Sequence, residues 1–148
     1  MKAVVKESPG PGCAVNDMPC PEARPGGVIV QVEAVGICGT DLPIFDGTRA
    51  VPPGLIPGHE FAGVIVEVGF GVEGWACGDR VAVSMVKGCG RCRFCRAGEE
   101  SMCDQLSELG IHVSGAYAKY VSVPDTCLHR LPDSLSFIQG ASVDPIAS

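Results

Sequence analysis

Cys89, Cys92, Cys95 and Cys103 follow one another as C-x2-C-x2-C-x7-C, and no other feature of this chain limits its fold so strongly. Thiolates two residues apart converge on one ion when the backbone turns between them, and four of them complete a tetrahedral zinc shell. Gly88 and Gly90 permit that turning. Four sulfurs leave no position open for water or substrate, so the expected role is structural. A disulfide pair with spare thiols and an iron–sulfur cluster are the competing readings. The first is disfavoured by a reducing compartment and by the crowding of C-x2-C neighbours. Ligands alone do not separate the second from zinc.

The compartment argument rests on what the chain lacks. Met1-Lys2-Ala3-Val4-Val5-Lys6-Glu7 has no apolar signal core, and no window approaches the length of a membrane span. A cytoplasmic location is therefore expected. Nine cysteines, an odd number, then point to metal binding or catalysis rather than a disulfide framework. Seventeen acidic against eleven basic residues give a net charge of −6, so neither nucleic acid nor an anionic membrane is an expected partner. The basic residues that do cluster, Lys87, Arg91, Arg93 and Arg96, lie among the cysteines, where they offset thiolate charge or face solvent.

A length of 148 residues with 46% hydrophobic content suits one packed domain. Twenty glycines and twelve prolines are dispersed along it, which favours many short strands joined by tight turns over a helical bundle. Strands are predicted at Ala3–Lys6, Gly27–Val35, Gly63–Val68, Arg80–Ser84 and Ala116–Val123, with a short helix at Phe137–Ser142 behind an N-cap region. The expected class is mainly β. Gly69-Phe70-Gly71-Val72-Glu73-Gly74 fits G-x-G-x-x-G, but a dinucleotide site needs a helix to begin there. Trp75 to Val81 leads into another strand instead, so the run is read as a turn.

Two further segments carry chemistry: Gly36-Ile37-Cys38-Gly39-Thr40-Asp41 and Pro57-Gly58-His59-Glu60-Phe61-Ala62-Gly63. A lone cysteine is usually a small hydrophobe, and a lone histidine is usually a hydrogen-bonded structural residue. Here each stands at a strand end beside glycines, with an acidic residue close by. Cys38 and His59 suit a catalytic zinc site that keeps one position open. Asp41 could accept the far N–H of the His59 ring and so set its tautomer. His112 reads as a solvated loop residue, His129 carries no signal, and Cys13, Cys20, Cys77 and Cys127 read as packing or surface positions.

These two segments, followed by Gly78-Asp79-Arg80-Val81 and the four-cysteine run, resemble the zinc-dependent medium-chain alcohol dehydrogenase family in order and gaps. The resemblance covers essentially the whole chain and is nearest to the sorbitol, threonine, butanediol and glucose dehydrogenase branch. It implies a GroES-like, partly open β-barrel with a zinc-binding cysteine lobe and short helices, over residues 1–148. It implies a catalytic zinc on Cys38, His59 and Asp144, with Glu60 behind the ion or swapping in as ligand. Thr40 matches the hydroxyl that passes the substrate proton outward. Cys89, Cys92, Cys95 and Cys103 would hold a second, structural zinc.

The same resemblance implies oxidation of an alcohol or polyol, a secondary alcohol going to a ketone by hydride transfer to NAD or NADP. The nucleotide would bind a Rossmann domain absent from this chain, which alone should be inactive. The full-length enzyme would be a homodimer or homotetramer. Two departures stand out: Pro43 occupies the place where the family often has a proton-relaying histidine, and the family continues into the Rossmann domain before which this chain stops. Asp144 is four residues from the last residue, where terminal segments fray unless tied down, so the catalytic zinc site is expected to be the weaker of the two. The competing function is a free-standing GroES-like zinc-binding module without catalysis.

Overall fold

The computed structural model describes residues 1–147. Its strands are β1 (Lys2–Val5), β2 (Ala14–Asp17), β3 (Gly27–Val35), β4 (Phe61–Val68), β5 (Arg80–Val83), β6 (Val86–Lys87), β7 (Ser107–Glu108), β8 (Tyr120–Pro124) and β9 (Leu128–Arg130). The helices are short: α1 (Asp41–Asp46), α2 (Arg93–Arg96), α3 (Phe137–Ala141) and α4 (Val143–Ala147). Five strands form one antiparallel sheet in the order β8-β3-β4-β5-β9, and β1–β2 and β6–β7 are separate two-stranded pairs. The sheets stay open, as the mainly β reading expects.

The sheet forms where the β-branched runs lie. Val28, Val30, Phe61, Ile65, Val81, Val83, Val121 and Val123 interlock as its core, with Cys127 and Leu128 closing one side. Full burial of such side chains contributes about 1.5–3 kcal/mol each, so this cluster dominates the packing energy. Register shifts between Ile29 and Val30, and between Val32 and Ala34, mark irregularities in the β3–β4 ladder. Such bulges bend a strand and increase its twist. The ladder pairs Val35 with Phe61 and so sets the Cys38 and His59 segments side by side.

Several elements differ from the sequence expectation. The predicted strand at Ala116–Val123 begins only at Tyr120, because Ala116 to Ala118 bonds elsewhere. Ala116 N–H and Tyr117 N–H donate to Gly58 and Pro57 carbonyls, while the Tyr117 carbonyl accepts from Val4 N–H. β2, β6, β7 and β9 are too short to show a period. α1 is unexpected as well. It is six residues long, tolerates Pro43 in its first turn, and stops at Gly47, whose φ of +84° suits glycine. The G-x-G-x-x-G run is a loop joining β4 to β5, as read.

α3 starts as predicted, at a capping box: Ser136 Oγ accepts from Gln139 N–H, and Gln139 Oε1 accepts from Ser136 N–H. Arg80 ties this C-terminal region to the sheet. Its guanidinium donates to the carbonyls of Pro132 at 2.9 Å and Leu135 at 2.6 Å, and lies 4.5 Å over the Phe137 ring. α4 then packs against β5 and α3.

Candidate metal centres

The cysteine lobe rises from the β6–β7 pair. All four sulfurs, of Cys89, Cys92, Cys95 and Cys103, lie within 4.8 Å of one another. Cys92 Sγ stands 3.4 Å from Cys95 Sγ, and Cys89 Sγ stands 4.0 Å from Cys95 Sγ. These separations bracket the edge of about 3.8 Å expected for a tetrahedron with metal–sulfur bonds of about 2.3 Å. They far exceed a disulfide bond, and all nine cysteines are free thiols. Cys92 also caps α2, its sulfur accepting from Cys95 N–H at 3.4 Å. Gly90 takes the left-handed turn the spacing calls for, at φ +71°.

Backbone groups aim at the sulfurs from outside. Cys89 N–H and Gln105 N–H both point at Cys103 Sγ at 3.3 Å. The N–H groups of Arg91 and Cys92 pull the Cys89 thiol down to about 6, whereas burial and the neighbouring Cys92 push Cys95 up to about 12. Four thiols this close cannot share one character, and a cation among them would favour the thiolate at each. The donor set therefore fits a closed, four-sulfur metal site.

The second cluster comes from two chain segments that β3 and β4 bring side by side. Gly36 N–H donates to the Glu60 carbonyl at 2.7 Å, which fixes the Cys38 turn beside His59-Glu60. One donor atom each from Cys38, His59 and Glu60 lie within 4.8 Å of one another. His59 is 2% exposed and Asp41 6%, so both are sealed from water. Thr40 Oγ1 is 3.4 Å from His59 Nε2. On the far side of the ring, His59 Nδ1 faces Asp41 Oδ1 at 3.7 Å. These two atoms are the buried side-chain polar atoms without a hydrogen-bond partner among the described residues. A buried polar pair left facing each other in this way is what a histidine needs when its other nitrogen binds a metal. Thiolate, imidazole and carboxylate together are a zinc-type donor set that leaves room for one more ligand.

Asp144 stands outside this cluster. Its Oδ1 accepts from Met85 N–H at 3.3 Å, just past the end of β5. Burial raises its pKa, the Met85 N–H and the charge of His59 oppose that rise, and the Glu60 charge adds to it. Glu60, rather than Asp144, is the carboxylate grouped with Cys38 and His59. His112 stays local: Nδ1 accepts from Glu108 N–H at 3.1 Å and the side chain is half-exposed. His129 is exposed on β9, Cys20 and Cys77 are exposed, and Cys127 is buried in the core.

Sequence reasoning missed Tyr117. Its phenol donates to Asp41 Oδ2 at 2.7 Å across 76 residues, a separation that carries no motif signal.

An open antiparallel sheet with a four-cysteine lobe on one hairpin and a Cys–His–Glu cluster at a strand junction defines a β domain with two candidate metal centres. The model of the alcohol dehydrogenase GroES-like domain matches residues 24–133, and the chain belongs to that family. It is 37% identical to an L-threonine 3-dehydrogenase of Francisella tularensis, over 100% of this chain and 44% of that protein. Among solved structures it is similar to the NADP-bound form of a protein assigned as a zinc-binding dehydrogenase from Sinorhizobium meliloti 1021. The identity is 40% and the TM-score 0.91, covering 99% of this chain and 42% of that one. A cobalt- and zinc-bound thermostable alcohol dehydrogenase from Pyrobaculum aerophilum is 32% identical with a TM-score of 0.91, covering 97% and 44%. The chain thus spans less than half the length of these relatives.

Proposed function

We propose that residues 1–148 form the catalytic, zinc-binding domain of an NAD(P)-dependent alcohol or polyol dehydrogenase, active together with a nucleotide-binding Rossmann domain. The observation that carries this reading is the convergence of Cys38, His59 and Glu60 with Thr40 at the edge of the cluster. The relatives named above, with zinc, cobalt or NADP in their descriptions, support the same chemistry. Two zinc ions per chain are proposed, one on Cys89, Cys92, Cys95 and Cys103 and one on Cys38, His59 and a carboxylate. Glu60 is the carboxylate grouped with Cys38 and His59, and Asp144, whose Oδ1 accepts from Met85 N–H, is the alternative. The whole enzyme is proposed to be a homodimer or homotetramer acting on a small secondary alcohol. No helix among the described residues is long and apolar enough to cross a membrane.

A zinc ion bound at the second site supplies Lewis acidity, which lowers the pKa of an alcohol. The chain does the rest. Cys38 and His59 fix the position of the site, with the His59 ring oriented by Asp41. Thr40 Oγ1 stands beside Nε2 and takes the hydroxyl proton of the substrate while giving its own proton to water, as hydride leaves for the nicotinamide. Pro43 has no group to carry that proton onward. The test is formation of reduced nicotinamide from a panel of secondary alcohols by the whole protein. Activity abolished by Cys38→Ser supports the reading; full activity in that variant overturns it in favour of a non-catalytic module.

A further inference from the structure

Tyr117 touches both segments that supply the second cluster. Its Oη donates to Asp41 Oδ2 at 2.7 Å and lies 3.1 Å from the Gly36 carbonyl oxygen. A phenol has one proton, and the shorter, charge-assisted bond to the carboxylate takes it. On its other flank the ring presses on Gly58, where an added Cβ would come within 2.6 Å of it. Tyr117 N–H donates to the Pro57 carbonyl at 3.0 Å, so the ring is held from its own backbone as well. It therefore spans the approaches to Cys38 and to His59 without belonging to either.

The bond has a consequence for the carboxylate. Asp41 Oδ2 accepts from Tyr117 Oη and from Cys38 N–H at 2.9 Å. With two donors on Oδ2, the group cannot rotate without breaking both. Oδ1 is left pointing at His59 Nδ1, 3.7 Å away, the two being buried and otherwise without hydrogen-bond partners among the described residues. We propose that Tyr117 is a positioning residue for this centre. It locks Asp41 so that Oδ1 holds the proton of His59 on Nδ1 and leaves Nε2 as the ligand nitrogen. The metal part of this inference rests on reading Cys38, His59 and Glu60 as a metal centre; the tautomer part does not.

Tyr117→Phe keeps the ring against Gly58 and removes only the hydroxyl. Nitrogen NMR of the histidine-labelled chain, with zinc kept in the four-cysteine lobe and removed from the second cluster, reads the tautomer directly. His59 should be a single Nδ1–H species in the parent and a mixture of tautomers in Tyr117→Phe. Cobalt titration reads the second effect. Losing an outer partner of a metal histidine typically costs about 10–100-fold in affinity, and Tyr117 acts one bond further out, so about 10-fold weaker binding is expected at this site. Binding at the four-cysteine lobe should not change. Asp41→Asn should weaken the site more, and Tyr117→Phe should add little on top of it, as coupled residues do. An unchanged tautomer in Tyr117→Phe overturns the inference, and so does unchanged affinity at a site the parent fills. A parent chain that takes cobalt only at the lobe overturns the metal-centre reading, while the tautomer still decides what Tyr117 does to Asp41.

Discussion

Asp144 Oδ1 accepts a hydrogen bond from Met85 N–H at 3.3 Å, which fastens α4 to the end of β5. The Arg80 contacts to Pro132 and Leu135 hold the preceding segment on the same strand. Asp144 is therefore docked near the second cluster but engaged elsewhere, whereas Glu60 is already among the donors. Glu60→Gln should weaken cobalt binding at that cluster more than Asp144→Asn does. Parallel chelator titrations of the two variants check this, and the opposite ranking would make Asp144 the ligand in this chain.

The lobe and the cluster should differ in what their loss does. Structural zinc contributes on the order of 10–16 kcal/mol of apparent binding energy in small domains. Cys92→Ser or Cys95→Ser should unfold or aggregate the chain, because the hairpin carrying them has little apolar core of its own. Cys38→Ser should stay folded. Metal analysis of protein purified without chelator should approach two ions in the parent and one in Cys38→Ser, with circular dichroism reporting the fold.

Thr40 Oγ1 lies 3.4 Å from His59 Nε2, and the proposed function gives it the substrate's proton. General acid–base groups are typically worth about 10²–10⁴-fold in rate. In the whole protein Thr40→Val should lower kcat within that range, and Thr40→Ser should retain most of it. Equal turnover in Thr40→Val would take the hydroxyl out of the reaction.

Burial, and then the bond to Asp41, raise the Tyr117 pKa above that of a free tyrosine. The folded state thus favours the protonated phenol. That stabilisation is fully present below the unfolded value of about 10 and is lost as pH rises beyond it. Tyr117→Phe should cost about 1.5–3 kcal/mol near neutral pH, the usual range for a hydrogen bond to a charged group. The gap between the two proteins should close above about pH 10. Denaturant melts across that range measure it, and a constant gap would mean the hydroxyl contributes nothing through its proton.

What the sequence determines by itself is whatever depends on neighbours along the chain. The four-cysteine site is legible because its ligands come from one short stretch with a turn at Gly90, and the spacing alone brings the sulfurs together. β3, β4 and β5 are legible from their β-branched runs, and α3 from its Ser136–Gln139 cap. The pairing of Cys38 with His59 is legible only through the order of two motifs. What brings them within reach is the β3–β4 ladder and the bond from Gly36 N–H to the Glu60 carbonyl. Only the tertiary structure decided that Ala116–Ala118 leaves the sheet, that Tyr117 meets Asp41, and that Glu60 joins Cys38 and His59 in one cluster. Those outcomes hang on long-range backbone hydrogen bonds and on burial, and neither leaves a periodic trace in the residues that make them.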